Sequence, residues 1–468
     1  MLKIGLGAAA VIVCSASFVC SAQASSQTVD TLDPAIKSRI DRIAAGVMEQ
    51  RGVPSASVAV VQGGKLVYTR AYGKAHIDPD KAATPDMRYS IGSISKQFTA
   101  SAILILQEQG KLKLDDAVGK YVPGLTRGDE VTVRQILSHT SGYQDYWPED
   151  YLMTPMMKPT TAQSILDTWA KKPLDFEPGT QWQYSNTNYV VAGMIVEKVS
   201  GQKLMEFLGE HIFHPLGMKS VWDTDQEKLT QTDATAYIRA ALGPLRPAPK
   251  EGRNWMFAAG ELAMTAHDLA LWDESMIARS VLKAESYKEM FTEVKLKDGK
   301  GTHYGLGVEV GEHDGKLEIE HSGEVTGFVA DNIVLPDDGV AVVVLTNHMA
   351  GGAGQIASLA ADTVAGTKRS AAEEQALAIY QGLQKGEIDR SLLAPNLNDY
   401  FDAQTVADFK SSLGPLGEPL SFQQVRESLR GGMTMRAFRI VYPTRRLSLS
   451  TYTYPDGKLE QYLVDPMD

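Results

Sequence analysis

The segment SISKQFTASAILILQEQG, residues 93–110, sets a serine and a lysine three positions apart at the start of a strongly apolar helix. Ser93 and Lys96 then share one helical face, so hydroxyl and amine meet within a single turn. Ile94, Phe98, Ala102 and Ile105 mark one side of that helix, and Ile103, Leu104 and Leu106 fill others, up to Gly110. A helix that is apolar all round belongs in a protein interior. Ser93 is therefore expected at a helix N-terminus on the floor of a pocket, where unpaired N–H groups and the helix dipole favour a developing anion. The pair is a nucleophile beside a base.

Ahead of this segment, residues 1–24 read as a secretory signal peptide. Lys3 is the only charge, an apolar run extends from Ile4 to about Cys20, and Ala22-Gln23-Ala24 offers a small-x-small cleavage pattern. Ser17-Phe18-Val19 before Cys20 makes a poor lipidation box, so no membrane anchor is expected. Both cysteines, Cys14 and Cys20, fall inside the leader. The processed chain would have no disulfide, no thiolate metal site and no cysteine nucleophile, which points to a bacterial periplasm or exterior. At a formal net charge of −11 with Lys and Arg scattered, no nucleic-acid face is expected. After the leader, no stretch reaches the roughly 18 apolar residues of a spanning helix. Oligomeric state is not legible in the pattern.

Downstream of the leader, Asp33 caps a helix whose first turn holds Pro34 and whose end is Gly52, with Ile36, Ile40, Ile43 and Val47 on one face. A hairpin follows, Ala56 to Val61 and Lys65 to Tyr72, turning at Gly63-Gly64. From Ser93 to about Trp272 the chain reads as helical and loop-rich. Strand character returns at Tyr304 to Glu309, Lys316 to His321, Phe328 to Leu335 and Val340 to Thr346, and a helix spans about Gln355 to Val364. Strands at both ends with helices between imply an α+β architecture: one antiparallel sheet built from both chain ends, flanked by helices, beside a helical subdomain. That unit is placed at residues 25–367. Residues 368–468 read as a small α+β domain, with helices at Ala371 to Leu383 and Asp402 to Leu413 and strands centred near Phe422, Met435, Leu447 and Tyr462. This domain is read either as an interaction unit or as a lid over the cleft.

Two further triplets complete a constellation with Ser93. Tyr184-Ser185-Asn186 follows the Pro178-Gly179 turn, which would carry it onto an exposed loop. His321-Ser322-Gly323 stands at the end of a predicted strand. His211 and His214 lack a third ligand nearby and are read as structural, and His139 as a residue that steadies a turn.

With S-x-x-K at Ser93 and Lys96, Y-x-N at Tyr184 and Asn186, and H-x-G at His321 and Gly323, the chain resembles the serine hydrolases of the class C β-lactamase and DD-peptidase type over about Ile36 to Gly366. The His139-Thr140-Ser141-Gly142 turn and Pro215-Leu216-Gly217-Met218 strengthen the likeness. The resemblance implies a cofactor-free acyl-enzyme mechanism on a small-molecule or peptide substrate. Ser93 would attack a carbonyl, with Lys96 or Tyr184 as base, and Tyr184 would later activate water. Asn186 would bond Lys96 or the substrate amide, and the N–H groups of Ser93 and Glu324 would hold the oxyanion. Class C β-lactamases usually carry Lys where His321 stands. That substitution favours a D-amino-acid peptidase or esterase over a dedicated β-lactamase, with His321 a cation only at low enough pH. Glu324, a possible negative charge at the rim, suits neutral or amine-bearing substrates.

Overall fold

Helix α1 (Pro34–Arg51) begins where Asp33 accepts from the N–H groups of Ala35 and Ile36, and ends where Gly52 adopts the left-handed region at φ 65°. Its three-and-four spacing buries Ile40, Ile43, Ala44 and Val47. The hairpin follows as β1 (Ser55–Gln62) and β2 (Lys65–His76). The computed structural model describes residues 28–366, 369–443 and 445–467. The signal peptide expected at 1–24 and the domain junction expected at 367–368 lie outside the described residues.

The hairpin pairs with the other end of the same unit. Together with β3 (Lys81–Ala82), β4 (Glu309–His313), β5 (Lys316–Val325), β6 (Phe328–Leu335) and β7 (Val340–Thr346), it forms a seven-stranded sheet in the order β3-β2-β1-β7-β6-β5-β4. Every pairing is antiparallel, and Val58 of β1 lies opposite Val344 of β7.

β1 from Val58 to Val61 and β7 from Val340 to Leu345 are continuous apolar runs because the sheet is covered on both faces. Ala56, Val58, Val60, Val342 and Val344 enter one core with α1 and a helix over Ala353–Ala365. Ala59, Val61, Val343 and Leu345 enter the other. The second core contains α2 (Ser95–Glu108), α3 (Asn186–Ser200) and α4 (Ala266–Ala278). The helix over Ala353–Ala365 is α5. In α2 every residue from Ser95 to Leu106 is buried. Its polar side chains are satisfied internally: the Thr99 hydroxyl donates to the Ala258 carbonyl, and Gln97 bonds Asn332 and the Trp272 indole.

Two expected features differ. The strand expected at Tyr304 to Glu309 instead runs from Glu309 to His313, and Tyr304 makes only an isolated bridge to Glu309. Gly307 at φ 76° breaks the extended run between them. The strand expected to stop at His321 continues to Val325, so His321 and Gly323 lie within β5.

Residues 369–467 form a third core. Helices α6 (Ala371–Lys385), α7 (Pro395–Tyr400) and α8 (Ala403–Leu413) pack on a four-stranded antiparallel sheet of β8 (Ser421–Arg430), β9 (Met433–Val441), β10 (Arg446–Thr453) and β11 (Leu459–Met467). Arg42 of α1 pairs with Glu418, Gln423 donates to Asp362 of α5, and Leu420 enters the core beneath those helices. The contact therefore falls on the face of the main sheet opposite α2. Among the described residues none beyond Met349 lines the cavity at Ser93, which sets aside the lid reading.

Candidate active site

Ser93 sits in a 3-10 turn, Gly92–Ile94, that runs directly into α2. Lys96, on the first turn of α2, is fully buried. Its Nζ lies 2.9 Å from Ser93 Oγ, 2.9 Å from Asn186 Oδ1 and 2.7 Å from the Ala259 carbonyl. The amide oxygen and the carbonyl only accept, so they use two N–H groups of the amine. The third position points at Ser93, as an N–H in the ammonium and as a lone pair in the neutral amine. Burial pushes the Lys96 pKa down to about 7, against the opposing pull of the Asp145 and Glu261 carboxylates.

The triplet Tyr184-Ser185-Asn186 is not displayed on an exposed loop as expected. Ser185 is the buried N-cap position of α3 and Asn186 is its first residue. The Tyr184 phenol faces the Ser93 hydroxyl closely enough to feel it electrostatically, and the Lys96 Nζ lies 5.0 Å from the centroid of its ring. Burial holds this phenol above its ordinary value, the nearby Ser93 hydroxyl opposing.

Asp145 orients Asn186. Its Oδ1 accepts from the Asn186 main-chain N–H at 3.0 Å, and its Oδ2 from the side-chain amide at 3.2 Å. With Nδ2 committed to the carboxylate, Oδ1 must face Lys96. His139, at φ 58°, accepts on Nδ1 from the Ser185 N–H at 3.2 Å, and its ring lies 4.3 Å from that of Tyr184. The turn at His139 thus steadies the loop that carries Tyr184.

His321 departs from expectation. It is 2% exposed, its Nδ1 bonds the Ser322 carbonyl at 2.6 Å, and its Nε2 bonds Tyr304 Oη at 2.8 Å. A carbonyl can only accept, so Nδ1 carries the proton and Nε2 accepts from Tyr304. Burial, with Lys96 nearby, pushes its pKa down to about 3, so it is a neutral ring with both nitrogens occupied rather than a conditional cation for a substrate carboxylate. Acid-terminated and neutral ester substrates are therefore expected to give coincident kcat/KM limbs between about pH 5 and 8, the window of an unperturbed histidine. A limb peculiar to the acid substrate and lost in His321→Asn would contradict this.

Gly323 and Gly92 explain how β5 reaches the serine. A Cβ on Gly323 would stand 1.9 Å from the Ile91 carbonyl oxygen, and one on Gly92 2.7 Å from the Glu324 nitrogen. The two main chains are in direct contact, which brings Glu324 beside the turn that bears Ser93.

These groups line a cavity of about 670 Å³ that includes Ser93, Asp145, Tyr184, Asn186 and Glu324. Glu149, Asp150 and Glu324 make its mouth acidic, with Arg239 the cation on its wall. Glu149 Oε2 is buried without a hydrogen-bond partner. Burial and the neighbouring Asp150 push the Glu324 carboxyl up. Among the described residues no cluster of His, Cys, Asp and Glu is arranged to hold a metal ion, and no helix is long and apolar enough to cross a membrane. Sequence reading brought together Ser93, Lys96, Tyr184 and Asn186. It missed Asp145, Tyr304 and the Ala259 carbonyl, because nothing in their local pattern marks them as partners of the catalytic side chains.

The sequence profile of the Beta-lactamase family matches residues 40–365. A D-aminopeptidase of Brucella anthropi is 30% identical over 308 residues, which cover 65% of this chain and 58% of that protein's length. A D-stereospecific amidohydrolase from Streptomyces sp. has a similar structure, with a TM-score of 0.61 and 27% identity over 70% of this chain and 98% of its own. An octameric penicillin-binding protein homologue from Pyrococcus abyssi superposes with a TM-score of 0.64 over 92% of this chain and 99% of its own; at 22% identity it shows the fold alone.

Proposed function

From the premise that the chain belongs to the Beta-lactamase family and is a serine hydrolase, we propose that it cleaves amine-bearing D-amino-acid amides, short peptides or esters through an acyl-enzyme on Ser93. The observation that carries the substrate class is the acidic mouth. Glu149, Asp150 and Glu324 line the cavity against one lining cation, Arg239, so a substrate ammonium has carboxylates to meet. The D-aminopeptidase and the D-stereospecific amidohydrolase support the stereochemistry. A β-lactam, whose carboxylate needs a cation at the box, finds the neutral His321 there. The apolar run and cleavage pattern of residues 1–24 support export.

In the acylation step, neutral Lys96 takes the Ser93 proton while Oγ adds to the substrate carbonyl. The oxyanion lies against the main-chain N–H groups of Ser93 and Glu324. The tetrahedral adduct expels the amine or alkoxide, which receives the Lys96 proton through the Tyr184 phenol. Water then adds to the acyl-enzyme, giving up a proton along the same route to Lys96, and Ser93 leaves with that proton. Tyr184, with its phenol held above the ordinary value, is a relay and Lys96 the base.

The test compares D-alanine amide, L-alanine amide and N-acetyl-D-alanine amide. The D-amide is expected to be turned over best, and capping its amine or changing Glu149→Gln to cost about tenfold, the weight of one charge-assisted contact. Equal turnover of the capped and free amides would overturn the amine preference.

A further inference from the structure

A second cavity, of about 520 Å³, adjoins the catalytic one and shares Pro249, Met256, Val325 and Thr326 with it as a common wall. Tyr237 and Phe328 give it an apolar lining, and three lysines, Lys81, Lys228 and Lys250, stand around it. All three reach the main chain of one wall segment: Lys228 Nζ donates to the Thr224 carbonyl at 2.7 Å, Lys250 to Leu229 at 3.3 Å and Lys81 to Gln231 at 2.9 Å. None of the three forms an ion pair among the described residues. An ammonium bonded to one carbonyl keeps two further N–H donors. Two acids, Asp78 and Glu251, share the lining, Glu251 accepting from the Thr326 N–H at 3.2 Å, and Asp223 and Asp225 act on Lys228 from outside it. On the lining itself three lysines stand against two carboxylates, an excess of one positive charge, beside a catalytic cavity where negative charge is in excess.

We propose that this second cavity is a subsite for a carboxylate carried by an extended substrate, so that the enzyme prefers D-peptides with a free amine and, farther along, an acidic group. The apolar lining would hold the connecting carbon chain and the lysines the carboxylate. This inference rests on the amidase reading of Ser93, and its test separates the two.

Two matched pairs place the carboxylate on either side of the scissile bond: D-Ala-Gly-Gly as acid and as C-terminal amide, and the p-nitroanilides of D-glutamate and D-glutamine. With D-alanine amide as reference, each is measured on the wild type and on the Lys228→Gln/Lys250→Gln variant. In at least one pair the acid is expected to lead in kcat/KM by about tenfold, and the variant to erase that lead while leaving D-alanine amide unchanged. An unchanged acid-to-amide ratio in both pairs would overturn the subsite, as would an equal loss on D-alanine amide, or an effect of added free carboxylate without any ratio. Calorimetry on Ser93→Ala with the same pairs reads binding without turnover. Binding selective for the acid and lost in the lysine variant would uphold the subsite even if hydrolysis failed; no selectivity would overturn it.

Discussion

Lys96→Met is expected to cost about 10⁴-fold in kcat/KM on a simple ester, and Lys96→Arg nearly as much. Methionine fills the buried volume but has no lone pair that can take the Ser93 proton. Arginine keeps a cation but stays protonated, because its guanidinium does not titrate in the working range. Ser93→Ala is expected to remove turnover and labelling by a fluorophosphonate. Because serine and lysine act as one unit, the double variant should be no worse than Ser93→Ala alone. Labelling of Ser93→Ala at the wild-type rate would end the acyl-enzyme reading.

The same amine sets the pH profile. Lys96 is the base only when neutral, and its pKa is pushed down to about 7 by burial. For p-nitrophenyl acetate, which does not titrate, log kcat/KM is expected to climb with about unit slope below that pH and level off above it. Asp145 raises the Lys96 value, so Asp145→Asn should move the limb to lower pH as well as reduce the rate through the loosened Asn186. A limb that moved upward would exclude Lys96 as its source.

What was legible in the chain was whatever repeats or caps. Asp33, Gly52 and the turn at Gly63-Gly64 bounded α1 and the hairpin, and Val340 to Thr346 appeared as a strand because every residue up to Leu345 is apolar. The triplets at Ser93, Tyr184 and His321 were legible as chemistry, since each pairs residue types that serve one reaction. Their environments were not. The spacing of His321 gave no sign that Tyr304, 17 positions earlier, would occupy its Nε2, nor that burial would hold it neutral. Asp145 and the Ala259 carbonyl escaped for the same reason: Lys96 is positioned by groups 49 and 163 positions away, and such contacts exist only once the loops are folded. The lid reading of the C-terminal unit failed because sequence separation says nothing about which face of a sheet a following domain meets.

Gly323→Ala tests the contact on which the site geometry turns. The new methyl would need the space of the Ile91 carbonyl, 1.9 Å from its carbon, and that obstacle is main chain rather than the movable end of a side chain. On one side β5 is held by β6, with which seven of its residues, Ile319 to Val325, are paired. On the other, Ile91 donates its N–H to the Leu262 carbonyl at 3.0 Å and precedes Gly92 at φ 50°. Neither can yield alone, so the turn bearing Ser93 must move away from Glu324. A displacement of roughly 1 Å at a reacting atom costs about 10²-fold in rate, and forcing a methyl into close-packed space about 1–3 kcal/mol of stability. Both losses are expected together, read as kcat/KM and as the midpoint of denaturant unfolding. Gly311→Ala is the control: it lies on β4 of the same sheet, where a Cβ would meet only the tip of Glu318 at 3.3 Å, and it should leave activity unchanged. If Gly323→Ala kept full activity, β5 would not be the strand that closes the site, and the Glu324 N–H could not be an oxyanion donor.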